Sequence, residues 1–277
     1  MKLSVVIVTF NEEANIGRTL ASVQGLVVDS KGEIIVVDSG STDHTTEVAK
    51  SFGAKVFVEE WKGFAAQKNS AIDKATGEWI LSLDADEEVS PGMREFILLA
   101  LFGKRQPEFA DFRGGMVFSR RNCFLGRPIQ HGGLYPDPKL RLVRRGSARF
   151  EERRLVHEDL RLTHGVEYRV SLFCEMGDPI EIVHHSYPTL SDYIEHMNRY
   201  SSLGAEMVVA KGPVRFSVSN IVLRPLATFV YNYFFRLGFL DGREGLLLHL
   251  YHAVYVSWKY AKAWELSRGH QEPHTSS

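Results

Sequence analysis

The sequence predicts an α/β protein, a mostly parallel sheet with flanking helices, followed by a helical, amphipathic C-terminal segment. Three observations carry this expectation. Short β-branched runs alternate with stretches of helical spacing through the first hundred residues. Polar clusters follow three of those runs directly, at Thr9 to Glu12, Asp38 to Asp43 and Asp84-Ala85-Asp86. Beyond Ile221, aromatic and basic residues interleave on either side of Asp241-Gly242-Arg243. Strand–helix alternation implies parallel pairing. Ligands of such sheets bind beyond the carboxyl ends of the strands, where all three polar clusters fall.

Taken in order, Leu3 to Thr9 is apolar and β-branched and reads as a strand buried on both faces. Asn11 to Leu26 carries Ile16, Leu20 and Val23 at helical spacing. Glu33 to Val37 is a second strand, and Thr42 or Asp43 can cap the helix that runs to about Phe52. Lys55 to Val58 is a third strand, Phe64 to Ala75 a helix closed by Gly77, and Trp79 to Leu83 a fourth strand. Pro91 suits the first position of the next helix. From about residue 110 the texture changes. Arg113 to Arg121, Leu140 to Val143, Val166 to Phe173 and Ile180 to His184 read as strands, Gly126 to Pro138 as a loop, and Leu190 to Val209 as a helix capped by Thr189 or Ser191. The expected domains are residues 1–210, with a first half to about 110 and a second half to 210, and a helical segment 211–277.

A net charge of −1 gives no global field for nucleic acid, so no nucleic-acid partner is expected. Cys123 and Cys174 have neither metal-site spacing nor a disulfide framework, and read as reduced thiols. The N-terminal apolar run is too short for a signal peptide, and no stretch reaches the ~20 apolar residues that span a bilayer. A cytoplasmic location is expected.

The chemistry-bearing candidates sit at the strand ends. Two carboxylates one residue apart, Asp84 and Asp86, can reach a hard divalent ion such as Mg2+ or Mn2+, which shares oxygen ligands with phosphates. A solvated acidic turn with Glu87 and Glu88 reads the same residues. Asp38 can accept hydrogen bonds from a nucleoside, or cap the turn that follows it.

The segments VVIVTFNEEANI, IIVVDSGSTDHT, WKGFAAQKNSAIDKATGEWILSLDADE and LVHEDL resemble those of family-two nucleotide-sugar glycosyltransferases of the GT-A, Rossmann-like fold. The resemblance covers about residues 1 to 210. PDPKLRLVRR and IVHHSYPTLSDYIEHMNRYS are similar to the branch that adds glucose to inner-core heptose in lipopolysaccharide biosynthesis. The resemblance implies an inverting hexosyltransferase with UDP-glucose as donor and a divalent metal. It implies that Thr9, Asn11, Glu12 and Asp38 line the nucleobase and ribose pocket, and that Lys62, Lys68 and Asn69 lie near the donor. Lys68 meets the diphosphate; the family often has Arg there, with a bidentate fork that Lys lacks. Asp84, with Ala85 beside it, contacts ribose or metal, Asp86 ligates the metal, and His184 completes the metal shell, with His185 competing for that place. Glu158 is the implied base, His157 orients it or the acceptor, and Asp159 is the alternative base.

The basic run Lys139, Arg141, Arg144, Arg145, Arg149, Arg153 and Arg154 suits a phosphorylated acceptor, with Arg141 and Arg144 as contacts. A solvated face neutralised by Glu151 and Glu152 accounts for it equally. The aromatic and basic C-terminal segment has three readings: docking on the inner face of the cytoplasmic membrane, oligomerisation, or packing back as core. Competing functions are a family-two transferase acting on a polyprenyl phosphate, a nucleotidyltransferase, and a non-catalytic nucleotide-sugar-binding protein. The acidic, glycine-free loop at Thr9 to Glu13 argues against a triphosphate substrate.

Overall fold

A computed structural model describes residues 2–29, 31–103, 105, 109, 111–151, 159–173 and 177–269. The chain divides into two compact units, Met1–Arg121 with Pro136–His185, and Asn122–Tyr135 with Ser186–Ser277.

In the first unit β1 (Leu3–Thr9), β2 (Gly32–Asp38), β3 (Lys55–Val58) and β4 (Trp79–Asp84) form a parallel array in the order β3-β2-β1-β4. The sheet continues through β8 (Asp137–Arg144), β6 (Gly114–Phe124), β12 (Glu181–Tyr187) and β5 (Glu87–Val89). β8 is antiparallel to both β4 and β6, and β12 is antiparallel to β5. The sheet is thus parallel in its first half and mixed beyond, a mixed α/β fold with flanking helices. β11 (Val166–Arg169) adds to β6, while β9 (Ala148–Phe150) and β10 (Leu160–Leu162) pair with each other as a hairpin.

Alternation along the strands divides the core. Leu3, Val5 and Ile7 with Trp79, Leu81 and Leu83 face α1 (Ile16–Val27) and α4 (Pro91–Leu101), through Leu20, Val23, Met93 and Ile97. Val6, Ile35, Val37 and Ile80 face the other way, onto Ala65, Ala71 and Ile72 of α3 (Phe64–Lys74). Both faces of β1 are therefore covered, and each fully buried Val, Leu or Ile side chain contributes about 1.5–3 kcal/mol. Ser90 caps α4 by accepting from the Met93 N–H at 3.2 Å, with Pro91 at the first helical position. Gly77 lets the turn before β4 press on β1, since a Cβ there would lie 2.7 Å from the Ser4 nitrogen. The expected helix at Thr42–Phe52 begins at Thr45 as α2 (Thr45–Ser51). Asp43 Oδ1 accepts from the Thr45 N–H (3.0 Å) and hydroxyl (2.5 Å), so the capping turn occupies the residues before it.

In the second unit α5 (Leu190–Val209) opens with a reciprocal capping box between Thr189 and Asp192. A helical stretch follows, α6 (Arg224–Val230) flanked by wider turns at Ser219–Leu223 and Tyr231–Phe235. A short turn at Gly238–Asp241 leads into α7 (Gly242–Gly269), which packs against α5 and α6. Phe124, Ile129, Tyr193 and Leu248 form its core. Buried Asp241 clasps the preceding loop, accepting from the backbone N–H of Gln130 (3.2 Å) and His131 (2.8 Å) and lying 2.9 Å from His131 Nδ1. The loop expected at Gly126–Pro138 includes a two-residue strand, β7 (Arg127–Pro128), paired with β6. Among the described residues no helix is long and apolar enough to cross a membrane. Cys123 is buried; Cys174 lies outside the described residues.

Candidate functional site

Register fixes the rim. Thr9 pairs with Asp38 across β1 and β2, and Val8 pairs with Asp84 across β1 and β4. The three polar strand ends therefore come level, as their sequence positions suggested.

The loops after β1 and β2 are stitched together. The Asn11 N–H donates to the Ser41 hydroxyl (2.8 Å), and Asn11 Oδ1 accepts from the Thr42 N–H (2.8 Å). Asn11 holds a left-handed conformation, φ +52°, which asparagine tolerates better than most residues. The Glu12 N–H donates to Thr45 Oγ1 (2.8 Å). Burial raises the Glu12 carboxyl pKa, the neighbouring Asp86, Asp43 and Asp84 add to the rise, and a hydrogen bond from Asn15 opposes it. Asp38 is 1% exposed and accepts from the N–H groups of Gly40 (3.0 Å) and Ser41 (2.8 Å) and from the Ser41 hydroxyl. Of its two readings from sequence, turn capping is the one these bonds express. Thr9 is buried and its hydroxyl has no hydrogen-bond partner among the described residues.

Asp84 and Asp86 have different surroundings. Lys68 Nζ lies 2.6 Å from Asp84 Oδ1, and Arg141 Nη2 lies 3.1 Å from Oδ2. Burial alone would raise the Asp84 carboxyl; the two cations outweigh it and hold the group well below the usual carboxylate range. Asp86 Oδ2 lies 3.2 Å from His184 Nε2. Burial again acts upward there, and His184 more than compensates, so Asp86 is lowered too. Ala85 is buried and its carbonyl accepts from Thr19 Oγ1 at 2.7 Å. That bond fixes the backbone between the two acids. The His185 ring pairs with Glu88 at 3.0 Å, while its backbone N–H donates to the Asp86 carbonyl at 3.0 Å.

Beneath the triplet lies a buried charge array that sequence reading missed. Glu87 is 0% exposed; its Oε1 accepts from Arg141 (2.6 Å) and Arg120 (3.2 Å), and its Oε2 from the Asp84 N–H (3.1 Å). Arg120 continues to Asp137 at 2.8 Å, and Lys139 stands between Asp137 (3.4 Å) and Asp159 (3.6 Å). The signal for it was an arginine inside an apolar strand, Leu140-Arg141-Leu142. A buried guanidinium needs carboxylate partners, and Glu87 was the acid adjoining the triplet.

Other expected residues are placed as follows. Lys62 is on the surface, 3.0 Å from Glu59. The Asn69 amide holds one backbone unit: Nδ2 donates to the Phe150 carbonyl and Oδ1 accepts from the Phe150 N–H, both at 3.0 Å. Lys68 Nζ also stands 5.3 Å from the Phe150 ring centroid. Arg141 is 4% exposed, under the triplet rather than on an open acceptor face. Arg144 pairs in register with Trp79, at the opposite end of β4 from Asp84, and does not join the site. Asp159 is half-exposed beside Lys139. His157, Glu158, Arg153 and Arg154 lie outside the described residues.

The fit to a divalent metal is partial. Asp86 and His184 offer a carboxylate oxygen and an imidazole nitrogen side by side, whereas both oxygens of Asp84 are held by cations. Among the described residues no three His, Cys, Asp or Glu side chains are grouped to hold an ion. Two protein ligands suit a metal that takes its remaining oxygens from a substrate diphosphate and water.

Residues 4–106 match the family model described as Glycosyl transferase family 2. The chain is 29% identical over 269 residues to an uncharacterized glycosyltransferase of Rickettsia typhi, covering 96% of this chain and 88% of that one. It is 28% identical over 272 residues to the lipopolysaccharide core biosynthesis glycosyltransferase LpsC of Rhizobium meliloti, covering 96% and 93%. Among solved structures, S. aureus TarS aligns over 97% of this chain and 55% of its own, with 14% identity and a TM-score of 0.46.

Proposed function

We propose that this chain, which is a family-two glycosyltransferase, moves a hexose, glucose from UDP-glucose, onto an inner-core heptose of lipopolysaccharide. The observation that carries the donor half is the level rim of Thr9, Asp38 and Asp84-Asp86, with Lys68 drawn to it. The acceptor half is supported by the likeness to LpsC along nearly the whole chain. Such an acceptor is lipid-linked, so the reading places the enzyme at the cytoplasmic face of the inner membrane.

In this reading Thr9, Asn11, Glu12 and Asp38 border the nucleoside. The Thr9 hydroxyl, buried and without a partner among the described residues, has a hydrogen bond to offer there. Lys68 sits on Asp84 and is the cation nearest to hand for a diphosphate. Asp86 and His184 would hold a divalent ion, which supplies charge stabilisation to the departing diphosphate when bound. The acceptor hydroxyl attacks the anomeric carbon opposite the diphosphate. Its oxygen forms the new glycosidic bond as the bond from carbon to phosphate oxygen breaks. The hydroxyl proton passes to a carboxylate, Glu158, with Asp159 the alternative. Configuration at the anomeric carbon inverts.

The test is a donor screen with heptosylated lipid core as acceptor, Mg2+ or Mn2+, and mass spectrometry of the product. A single added hexose from UDP-glucose is the expected result. Transfer only to polyprenyl phosphate, or from another donor class, would replace this reading.

A further inference from the structure

The helical stretch before α7 has its usual polarity reversed. A helix on a soluble domain turns its apolar side inward. Here Val218, the pair Val222 and Leu223, Leu226, Tyr231 and Phe234 follow one another at steps of three to five residues and are all more than half exposed. Phe235 is 76% exposed, and Leu237, Phe239 and Leu240 carry the apolar surface through the following turn. On the inward side Pro225 is buried, and Thr228 and Tyr233 are half-buried. An apolar stripe of this length exceeds what monomeric soluble proteins leave to water.

Charge identifies what covers it. From Lys211 to Leu240 the chain carries Lys211, Arg215, Arg224 and Arg236, and no Asp or Glu. All four cations are exposed. The first acid after them, Asp241, is buried and engaged with His131, and the next, Glu244, is paired with Arg127 at 3.2 Å. Two of the arginines lie over aromatic rings, Arg224 on Tyr260 and Arg236 on Tyr231, each 4.9 Å from the ring centroid. Apolar side chains with aromatic rings and cations around them, and no anion, match an interface between hydrocarbon and anionic headgroups. A second copy of this chain fits poorly, because a two-fold interface would press the same cations against one another.

We infer that Lys211–Leu240 is the surface by which this protein lies on an anionic phospholipid bilayer, its apolar stripe entering the acyl boundary and its four cations at the headgroups. This deepens the reading of a lipid-linked acceptor and rests on it for its purpose. Its physical basis is independent of the reaction.

The experiment uses the full chain with vesicles of phosphatidylcholine alone, and of phosphatidylcholine with about one third phosphatidylglycerol, at low and high salt. Co-sedimentation with the anionic vesicles should exceed that with the neutral ones by about tenfold or more, the excess shrinking as salt screens the cations. The double substitution Leu226→Glu/Phe235→Glu, at two exposed positions, should lower anionic-vesicle binding by about tenfold or more. Its melting temperature, and its transfer to a soluble heptosylated oligosaccharide, should match wild type. Arg215→Glu, which leaves the apolar stripe intact, should reduce the preference for anionic over neutral vesicles. Equal binding of wild type to both vesicle types, no binding at all, or a doubly substituted protein that binds like wild type would each overturn the inference. So would a wild-type dimer that the double substitution makes monomeric, since the stripe would then be a protein interface. Failure of the sugar-transfer reading registers separately, as absent turnover on the soluble acceptor whatever the vesicles show.

Discussion

Replacing Glu87 by glutamine probes the charge array under the acidic triplet with the smallest change of shape. The carboxylate is fully buried and its contacts are with donors: Arg141 at 2.6 Å, Arg120 at 3.2 Å and the Asp84 N–H at 3.1 Å. Glutamine keeps one acceptor oxygen and brings an NH2 group that must face a donor, whichever way the amide is turned. The substitution also leaves three buried or part-buried cations, Lys68, Arg120 and Arg141, to share Asp84 and Asp137. Removing one partner of a buried ion pair costs about 3–5 kcal/mol. Arg120 keeps Asp137 and Arg141 keeps Asp84, so the lower end, about 3 kcal/mol, is expected here. At about 2 °C per kcal/mol for a chain of this size, the melting temperature should fall by roughly 6 °C. Because the lost acceptor also orients the Asp84 N–H, donor KM should rise with it. Differential scanning calorimetry and donor titration read the two effects. Glu88→Gln is the control: Glu88 is 36% exposed beside His185, and its loss should shift stability by no more than about 0.5 kcal/mol. A fall of less than about 2 °C for Glu87→Gln, with donor KM unchanged, would refute the argument that this array holds the triplet in place.

Three further outcomes are expected. Asn69→Ala leaves the Phe150 N–H and carbonyl without their partner and loosens the β9–β10 hairpin, between whose strands the sequence carries Glu158; kcat at saturating donor should fall with little change in donor KM, whereas a raised KM at constant kcat would make Asn69 a donor contact. Glu33 accepts from Ser4, Lys55 and Thr76, and although burial acts upward these bonds hold its pKa near 2, below an unfolded value of 4.5. A depressed folded pKa stabilises the protein above about pH 4.5 and the contribution disappears as pH falls towards 2; after solvent screening it amounts to about 1–2 kcal/mol, so urea midpoints of Glu33→Gln and wild type should differ at pH 7 and converge in acid. Glu158→Gln should collapse turnover with donor affinity nearly intact, and retained turnover would move the base to Asp159.

The first half of the chain was legible because its signals are local. Period-two burial, a β-branched run and a polar cluster at each strand end sit within single segments, and parallel pairing then brings the clusters level. The strand Trp79–Asp84 and the helix Leu190–Val209 were readable for the same reason. The charge array was not, because Glu87, Arg120 and the pair Asp137 and Arg141 come from three strands, β5, β6 and β8, and meet only through antiparallel register. Arg141 and Arg144 looked alike in KLRLVRR, yet three residues along β8 set one under Asp84 and the other beside Trp79. Asn69 resembled a donor contact by its place next to Lys68; its bonds to Phe150 depend on a hairpin about eighty residues away that has no strong strand signal of its own. The C-terminal aromatic segment did announce a helical, amphipathic stretch on either side of Asp241-Gly242-Arg243. Which of its apolar residues face outward could be decided only once α7 had covered the other side.

The central claim is that Asp86, with His184 beside it, makes the triplet a metal-assisted nucleotide-sugar site. Calorimetric titration of UDP-glucose into wild type and Asp86→Asn, each with and without Mn2+, tests it directly. Wild type should bind about tenfold or more tightly with Mn2+ than without, and Asp86→Asn, with an unchanged melting temperature, should lose that gain. Binding by Asp86→Asn that equals wild type in both affinity and Mn2+ dependence would contradict the account.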